Sequence, residues 1–253
     1  MDFLENSISP PSGFQIYPAI DLKSGRVVRL TQGRADRETV YFQDPLEPAW
    51  AWKSSGAKCL HVVDLDGAFQ GVPKNRDVLQ KLADLGFFLE LGGGIRSEAD
   101  IAHALALGIN RVILGTKALE DPEFLKSAIG QFGPSVAVGI DAKDGKVATR
   151  GWVDVSEKDA LEFASEVASL GAGAIIYTDI STDGMLEGPN LEAQKAMAEI
   201  LPDSVDLIAS GGVSRPHDVE ALRELHATHQ NLKGVIIGRA LYEKTLDIRE
   251  VLN

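Results

Sequence analysis

The sequence predicts a closed barrel of eight parallel strands and eight helices, the (β/α)8 or TIM-barrel class of α/β folds, with an internal twofold duplication of half-barrels. Three observations predict it. Short apolar runs alternate with helical patterns, segments of the first half recur in order in the second, and glycine turns follow the strands at their carboxyl ends. A doubly wound open sheet is the rival architecture. The duplication favours the barrel because it supplies four β/α units twice.

The predicted strands are short and rich in branched apolar residues, whereas the segments between them have helical spacing and recognisable start signals. The candidate helix caps are Asp44, Ser97, Asp121, Ser156, Asn190 and Ser214. The predicted strands cover 15–21, 59–64, 87–91, 111–114, 135–140, 173–178, 205–209 and 234–237. The predicted helices cover 45–56, 74–84, 97–107, 122–129, 156–170, 190–200, 215–226 and 245–252.

The duplication is visible as three pairs of similar segments at nearly constant separation. Residues 20–27 recur as 140–147, residues 91–95 as 209–213, and residues 112–116 as 235–239. Two of these pairs contain glycine turns at strand ends, and such turns let a backbone approach an anion closely. Two copies of one phosphate-binding loop predict a ligand that carries two phosphates.

Size and composition limit the possible functions. A chain of 253 residues fits one barrel domain, predicted over 14–253 after a short extension at 1–13. Its net charge of −12 argues against a nucleic-acid partner, and no apolar run is long enough to cross a membrane. One cysteine, Cys59, forms no intramolecular disulfide, and the first residues lack the pattern of a signal peptide. We expect a monomer in the cytoplasm.

The glycine turns are the candidate phosphate sites. Each could instead be only a tight turn, but four such turns, paired by the repeat, favour phosphate binding over that alternative. The threonine and arginine that follow two of the turns would add a hydroxyl and a positive charge. The first site is predicted at Gly93, Gly94, Gly115 and Thr116, and the second at Ser210, Gly211, Gly212, Gly238 and Arg239.

Three aspartates are the candidate catalytic groups. Asp21 and Asp141 are equivalent by repeat, follow apolar runs, and should face each other across the barrel mouth. Partial desolvation would raise their pKa towards the range used in general acid–base catalysis. The alternatives are a helix cap or a lysine partner and, for Asp183, an Asp-Gly turn. Trp152, beside a glycine after the fifth barrel strand, is either a packing lid or a surface for ligand stacking.

The sequence predicts no metal and no cofactor. The five histidines have no metal-ligand spacing, and the glycine segments do not match the dinucleotide fingerprint. His61 precedes Asp64 by three residues in a predicted strand, so the two side chains should lie on opposite faces. Cys59 is predicted to lie in the core and Asp64 to have a structural role.

Taken together, these motifs resemble the phosphoribosylformimino-aminoimidazole-carboxamide ribotide isomerase (ProFAR isomerase) family of histidine biosynthesis. The resemblance covers about residues 16–250. The segments that carry it are 18–22, 27–30, 32–33, 63–68, 92–96, 150–152, 178–180, 183–184 and 210–213.

The resemblance implies a (β/α)8 barrel that converts an aminoaldose with a phosphate at each end into an aminoketose, an Amadori rearrangement by general acid–base catalysis. It implies Asp21 as the base and Asp183 as the acid, with Thr178 and Asp141 assisting, whereas the repeat symmetry prefers Asp141 as the acid. It also places Arg96 among the substrate-binding residues and Trp152 against the imidazole-carboxamide.

Three alternatives to a dedicated isomerase remain. One is the related cyclase subunit of imidazole glycerol phosphate synthase, which typically has Cys-Leu where this chain has Ala19-Ile20. Another is a bifunctional isomerase that also acts on phosphoribosyl anthranilate. From a different class, a non-catalytic phosphosugar-binding protein is disfavoured by the three aspartates.

Overall fold

The computed structural model describes residues 10–31, 34–70, 74–149 and 151–252. Of the segments that carry the family resemblance, 32–33 and the first residue of 150–152 lie outside the described residues. Most of the predicted extension at 1–13 also lies outside them. In the described part of the chain, no helix is long and apolar enough to cross a membrane.

Twelve strands are present in the described residues, and eight of them form a closed parallel barrel. The barrel order is β10-β11-β12-β1-β4-β5-β6-β7, and pairing of β7 with β10 closes it. This confirms the predicted (β/α)8 barrel. The strands are β1 (Gln15–Lys23), β2 (Arg26–Thr31), β3 (Arg34–Phe42), β4 (Cys59–Asp64), β5 (Phe88–Gly92), β6 (Arg111–Leu114), β7 (Val136–Lys143), β8 (Lys146–Thr149), β9 (Asp154–Asp159), β10 (Ala174–Asp179), β11 (Asp206–Ser210) and β12 (Leu232–Ile237).

Helices surround the barrel and bury their apolar faces against it. Buried Leu, Ile, Val and Ala side chains between the two layers form the main core, and a smaller apolar cluster fills the barrel interior. The α-helices are α1 (Leu46–Ser54), α2 (Leu65–Gln70), α3 (Arg76–Ala83), α4 (Glu98–Ala106), α5 (Thr116–Glu120), α6 (Pro122–Phe132), α7 (Ala160–Ser169), α8 (Leu191–Ile200), α9 (Pro216–Thr228) and α10 (Arg239–Tyr242), and one-turn 3-10 helices cover Gly133–Ser135 and Ile248–Glu250.

The duplication is visible in the backbone. Antiparallel strands follow the first barrel strand of each half, β2 and β3 after β1, and β8 and β9 after β7. The register is the same in both: Asp21 pairs with Val28, and Asp141 pairs with Ala148. The turn at Ser24-Gly25 has φ values of 52° and 75°, and its counterpart at Asp144-Gly145 has 50° and 77°. The half-barrels therefore share local geometry as well as sequence.

Two predicted helices were wrong in extent. Helix α7 begins only at Ala160, because Ser156 lies in β9 and the side chain of Asp159 accepts the amide protons of Leu161 and Glu162. The predicted capping role of Ser156 is therefore wrong. The predicted helix at 245–252 is only the 3-10 turn Ile248–Glu250.

The other predicted caps are mostly confirmed. Ser97, Asp121 and Asn190 accept amide protons at the starts of α4, α6 and α8. Asp44 accepts the amide proton of Leu46 at 2.9 Å, although α1 begins one residue later than predicted. Ser214 does not cap α9; instead its amide and hydroxyl donate to Asp218, at 2.8 and 2.9 Å.

Candidate active site

A cavity of about 700 Å³ opens at the carboxyl ends of the barrel strands. This is the end at which barrels of this class place their functional residues. Every residue that the sequence predicts as part of the site lines this one cavity: Asp21, Gly93, Gly94, Arg96, Gly115, Thr116, Asp141, Trp152, Thr178, Asp183, Ser210, Gly211, Gly212, Gly238 and Arg239.

Arg29 connects two of the three candidate catalytic aspartates. Its guanidinium donates to both carboxylate oxygens of Asp183, at 3.0 and 3.2 Å, and lies 3.6 Å from Oδ2 of Asp21. All three side chains are less than one-fifth exposed. The lysine that the sequence offered as a partner for Asp21 is occupied elsewhere, since Lys23 pairs with Glu38 at 2.5 Å. Asp21 and Asp183 are therefore coupled through one shared cation.

Within the described part of the chain, Asp141 has neutral hydrogen-bond donors and no ion pair with a cationic side chain. The indole Nε1 of Trp152 donates to its Oδ2 at 2.9 Å. The hydroxyl of Thr178, which is buried on β10 opposite Asp141 in the strand register, also bonds to this carboxyl group. Trp152 sits in the turn between β8 and β9 with a φ of 72°. The ring is therefore tied to a candidate catalytic carboxylate.

The equivalent aspartates of the two halves share one electrostatic character. Burial raises the pKa of Asp21, although the charges of Arg29 and His61 act in the opposite direction. Burial also raises the pKa of Asp141, opposed by hydrogen bonds from Trp152 and Thr178. Raised carboxyl pKa values in a cleft suit proton transfer near neutral pH.

The glycine turns pack against neighbouring loops at distances that no side chain would allow. Gly94 has a φ of 79°, and a Cβ atom there would lie 2.6 Å from the backbone of Gly67. Gly212 has a φ of 87°, and its Cβ would lie 2.2 Å from the carbonyl oxygen of Gly188. Glycine is therefore required for the local backbone at both positions, whatever the turns bind.

In each half, a short helix begins directly after the second glycine turn. Gly115 precedes α5 and Gly238 precedes α10, and neither helix start receives a hydrogen bond from a capping side chain. Gly238 also makes room for Arg29, since a Cβ atom at that position would lie 2.6 Å from the guanidinium. Backbone amides at helix starts are suitable donors to an anion.

The arginines predicted at the two phosphate sites each reach a neighbouring loop. Arg96 donates to the carbonyl oxygen of Ala68 at 2.9 Å, and Arg239 donates to that of Gly184 at 2.6 Å. Both remain exposed at the cavity rim. Each end of the cavity thus carries an arginine beside a pair of glycine turns, and Lys117 also lines the cavity beside Gly115 and Thr116.

Sequence reasoning missed Arg29 and His61, which also line the cavity. His61 was set aside for lack of metal-ligand spacing, although its expected position on the face opposite Asp64 is confirmed. Asp64 is buried and accepts hydrogen bonds from Gly67 and Asn75, the structural role predicted for it. The available signal for His61 was strand alternation, because a side chain on the other face of a barrel strand points into the barrel.

The thiol of Cys59 and the potential metal ligands lie outside the proposed acid–base chemistry. Cys59 is buried inside the barrel as predicted, and burial raises the pKa of its thiol to about 12. Among the described residues, no three or more His, Cys, Asp or Glu side chains form a group that could hold a metal ion.

Comparison with known proteins shows which family the chain is similar to. The family described as "Histidine biosynthesis protein" matches residues 15–247. A protein of Opitutus terrae is 49% identical over 94% of this chain and 97% of its own length. Relatives from Syntrophotalea carbinolica and Thermoanaerobacter pseudethanolicus are 51% and 48% identical over 94% of this chain, and over 96% and 98% of their own lengths.

All three relatives carry one name, 1-(5-phosphoribosyl)-5-((5-phosphoribosylamino)methylideneamino)imidazole-4-carboxamide isomerase. The match covers the whole barrel, including both glycine-turn pairs and all three aspartates. This chain belongs to the histidine biosynthesis protein family.

Proposed function

We propose that this chain is an isomerase that converts the ProFAR aminoaldose into the corresponding aminoketose. One observation carries the proposal: a single cavity holds the half-buried Asp21 and Asp141, and Asp183 paired with Arg29, between two duplicated glycine-turn sites. The arrangement has acid–base groups at its centre and two candidate anion sites at its ends. A substrate with a phosphate at each end and a reacting sugar between them matches this layout.

The two phosphates of the substrate are assigned to the two halves of the barrel. The first would meet the backbone amides of Gly93, Gly94 and Gly115, with Thr116 and Arg96 beside them. The second would meet those of Gly211, Gly212 and Gly238, with Ser210 and Arg239 beside them. The glycine pairs, the short helix starts and one arginine at each end support this assignment.

The proposed reaction needs two proton movements and uses no metal. A general acid protonates the ribose ring oxygen, so that the ring opens to a Schiff base. A general base then removes the proton from C2′, and the resulting enolamine tautomerises to the ketone. We assign the base to Asp21 and the acid to Asp183, with Asp141 and Thr178 assisting, and place the imidazole-carboxamide against Trp152.

The contacts of Arg29 set a condition on this assignment. A guanidinium bonded to both oxygens of Asp183 stabilises its carboxylate, whereas an acid must carry a proton. Asp183 can serve as the acid only if Arg29 moves from it towards Asp21 when substrate binds, which would also stabilise Asp21 as the carboxylate base. Burial raises the pKa of Asp141, which favours its protonated form without any movement of Arg29. The acid assignment is therefore tested separately below.

The proposal also covers assembly and location. We propose a monomer, which sedimentation velocity at micromolar concentration would test. We propose the cytoplasm as the location, in keeping with a single buried cysteine.

A paired assay tests the function. The purified chain is given the ProFAR aminoaldose in one reaction and phosphoribosyl anthranilate in the other. We expect turnover of the first compound only. Turnover of both would replace the proposal with a bifunctional isomerase, and tight binding of the aminoaldose without product would replace it with a binding protein. The cyclase alternative is tested by supplying the aminoketose with ammonia.

A further inference from the structure

A chain of charged side chains runs through the barrel interior from the cavity towards the opposite end. On β4, His61 lines the cavity, and its Nδ1 lies 2.8 Å from Oε1 of Glu90 on β5. The second oxygen of Glu90 lies 3.9 Å from Arg111, and Arg111 donates to Asp206 at 2.9 Å. Arg111 and Asp206 are the first residues of β6 and β11, at the end of the barrel away from the cavity. We name these four residues the interior charge chain.

The interior charge chain is not repeated in the second half of the barrel. Repeat-equivalent positions in the second half, at offsets of 115 and 118 residues, hold Ile176 for His61 and Ile208 for Glu90. Both isoleucines are buried in the apolar cluster that fills the barrel. An apolar interior is therefore compatible with this fold. The charged groups are a departure from the symmetry that needs its own explanation.

Without a proton on His61, the interior charge chain carries a net charge of −1, shared between fully buried Glu90 and Asp206, which is 18% exposed. Glu90 is fully buried and Arg111 is 3% exposed, so both charges lie in a medium of low polarity. Two carboxylates, Glu90 and Asp206, face one permanent cation. Nearby Tyr17 adds no charge, because burial raises its pKa well above the usual value. An imidazolium at His61 would complete the balance.

His61 stands where such a charge would act on the reacting groups. It lies among Asp21, Asp141 and Arg29 in the lining of the cavity. A positive charge on its ring lowers the pKa of both Asp21 and Asp141, against the effect of burial. A ring that donates its Nδ1 proton to Glu90 is also fixed in orientation, as in other carboxylate–histidine pairs.

We propose that Glu90 is a positioning residue that holds His61 as an imidazolium at the floor of the active site, where its charge keeps Asp21 in the carboxylate form that a general base needs. Arg111 and Asp206 complete the buried charge balance around Glu90. The kinetic consequence rests on the proposed isomerase function, but the protonation state of His61 does not.

The direct test is the charge of His61 in solution. Side-chain ¹⁵N spectra of the five histidines are recorded from pH 5 to 9, and His61→Asn identifies the His61 signals. We expect both ring nitrogens of His61 to carry protons at pH 7.5 in the unaltered chain. In Glu90→Gln, the titration should move to lower pH by at least about one unit. His103→Asn, at an exposed position on α4, is the matched control and should leave the His61 signals unchanged.

A neutral His61 ring at pH 7.5 in the unaltered chain would overturn the proposal. That measurement does not use Glu90→Gln, so it decides the question even if Glu90→Gln does not fold. An unchanged His61 titration in folded Glu90→Gln would overturn the role of Glu90.

The kinetic readout separates positioning from a merely structural role. In Glu90→Gln and His61→Asn, the acidic limb of the pH dependence of kcat/KM should move to higher pH by about one unit, because the Asp21 carboxylate loses a neighbouring cation. A loss of activity equal at every pH would instead indicate a structural role for Glu90. If the unaltered chain has no isomerase activity, the proposed function fails, and the spectra alone decide this inference.

Discussion

The two half-barrels are alike where they hold the ends of the cavity and different at its centre. Asp21 and Asp141 have the same strand register, and the turns that follow them have φ values within a few degrees of each other. At the centre, Asp21 has Arg29 as a partner, whereas Asp141 has Trp152 and Thr178. The backbone around the two aspartates is the same in both halves, whereas the partners of their carboxyl groups differ.

A second repeated feature lies behind the site. Asn75 donates to Asp64 at 2.6 Å, and Asn190, 115 residues later, donates to Asp179 at 2.7 Å. At the same offset, Asp183 corresponds to Ala68. The third candidate catalytic carboxyl therefore has no counterpart in the first half, which makes it the clearest departure from symmetry.

The largest expected effects come from replacing the two candidate acids. Asp183→Asn and Asp141→Asn should each lower kcat at least about a hundredfold, the low end for loss of acid–base catalysis. Only loss of the true acid should also remove the basic limb of the pH profile of kcat. A basic limb that persists in Asp183→Asn and disappears in Asp141→Asn would move the acid role to Asp141.

Substitutions in the glycine turns test the two proposed phosphate sites, one in each half-barrel. Gly94→Val and Gly212→Val should each weaken binding of the aminoaldose by about tenfold or more, since both force a side chain into neighbouring backbone at positive φ. Titration calorimetry measures the affinity. Gly130→Ala, in an open position on α6, is the control and should leave affinity unchanged. Loss of affinity in only one of the two valine variants would contradict a two-ended ligand.

Replacement of Asn75 and of Asn190 compares how much each half depends on its buried asparagine for stability. Asn75 bonds Asp64, Asp66 and the amide of Gly25, and it is almost completely buried. Its counterpart Asn190 bonds Asp179 and one helix amide among the described residues, and it is more exposed. Asn75→Ala should therefore lower the free energy of unfolding by about 2–3 kcal/mol, and Asn190→Ala by about 1–2 kcal/mol. Denaturant titration measures both free energies of unfolding. A lower value for Asn190→Ala than for Asn75→Ala would contradict this ranking.

The smallest effect is expected at Trp152. Trp152→Phe keeps an aromatic ring but removes the donor that lowers the pKa of Asp141. The pKa of Asp141 should rise further, so any limb of the rate profile that reports this group should move to higher pH. Because Thr178 retains its bond, we expect a shift below about one unit. A shift to lower pH would show that the indole does not stabilise the carboxylate.

The barrel and the outline of the site could be predicted from the sequence because they depend on local patterns. Strand-end position and repetition identified most of the fifteen cavity residues, whereas Arg96 and the assisting role of Thr178 came from the family resemblance. Strand β9 was read as helix, since its polar, half-exposed residues give no alternating apolar signal, and the cap at Asp159 resembles the one expected at Ser156.

The partners of the candidate catalytic groups could not be predicted in the same way. Arg29 reaches Asp183 across 154 residues of chain, and Arg111 reaches Asp206 across 95. Such pairs depend on barrel closure and on which face of a strand each side chain occupies, and no local pattern encodes them. His61 is an example. Strand alternation from Asp64 gives the face of β4 on which His61 lies, but it does not give the hydrogen bond between His61 and Glu90 on the next strand.

The most direct test of the account measures ligand binding and turnover together in Asp21→Asn. Calorimetry gives the affinity for the aminoaldose, and the conversion assay gives kcat. The account predicts affinity within about threefold of the unaltered chain and a kcat lowered at least about a hundredfold, because the two ends of the ligand stay bound while the base is lost. Near-normal turnover would contradict the assignment of Asp21 as the base.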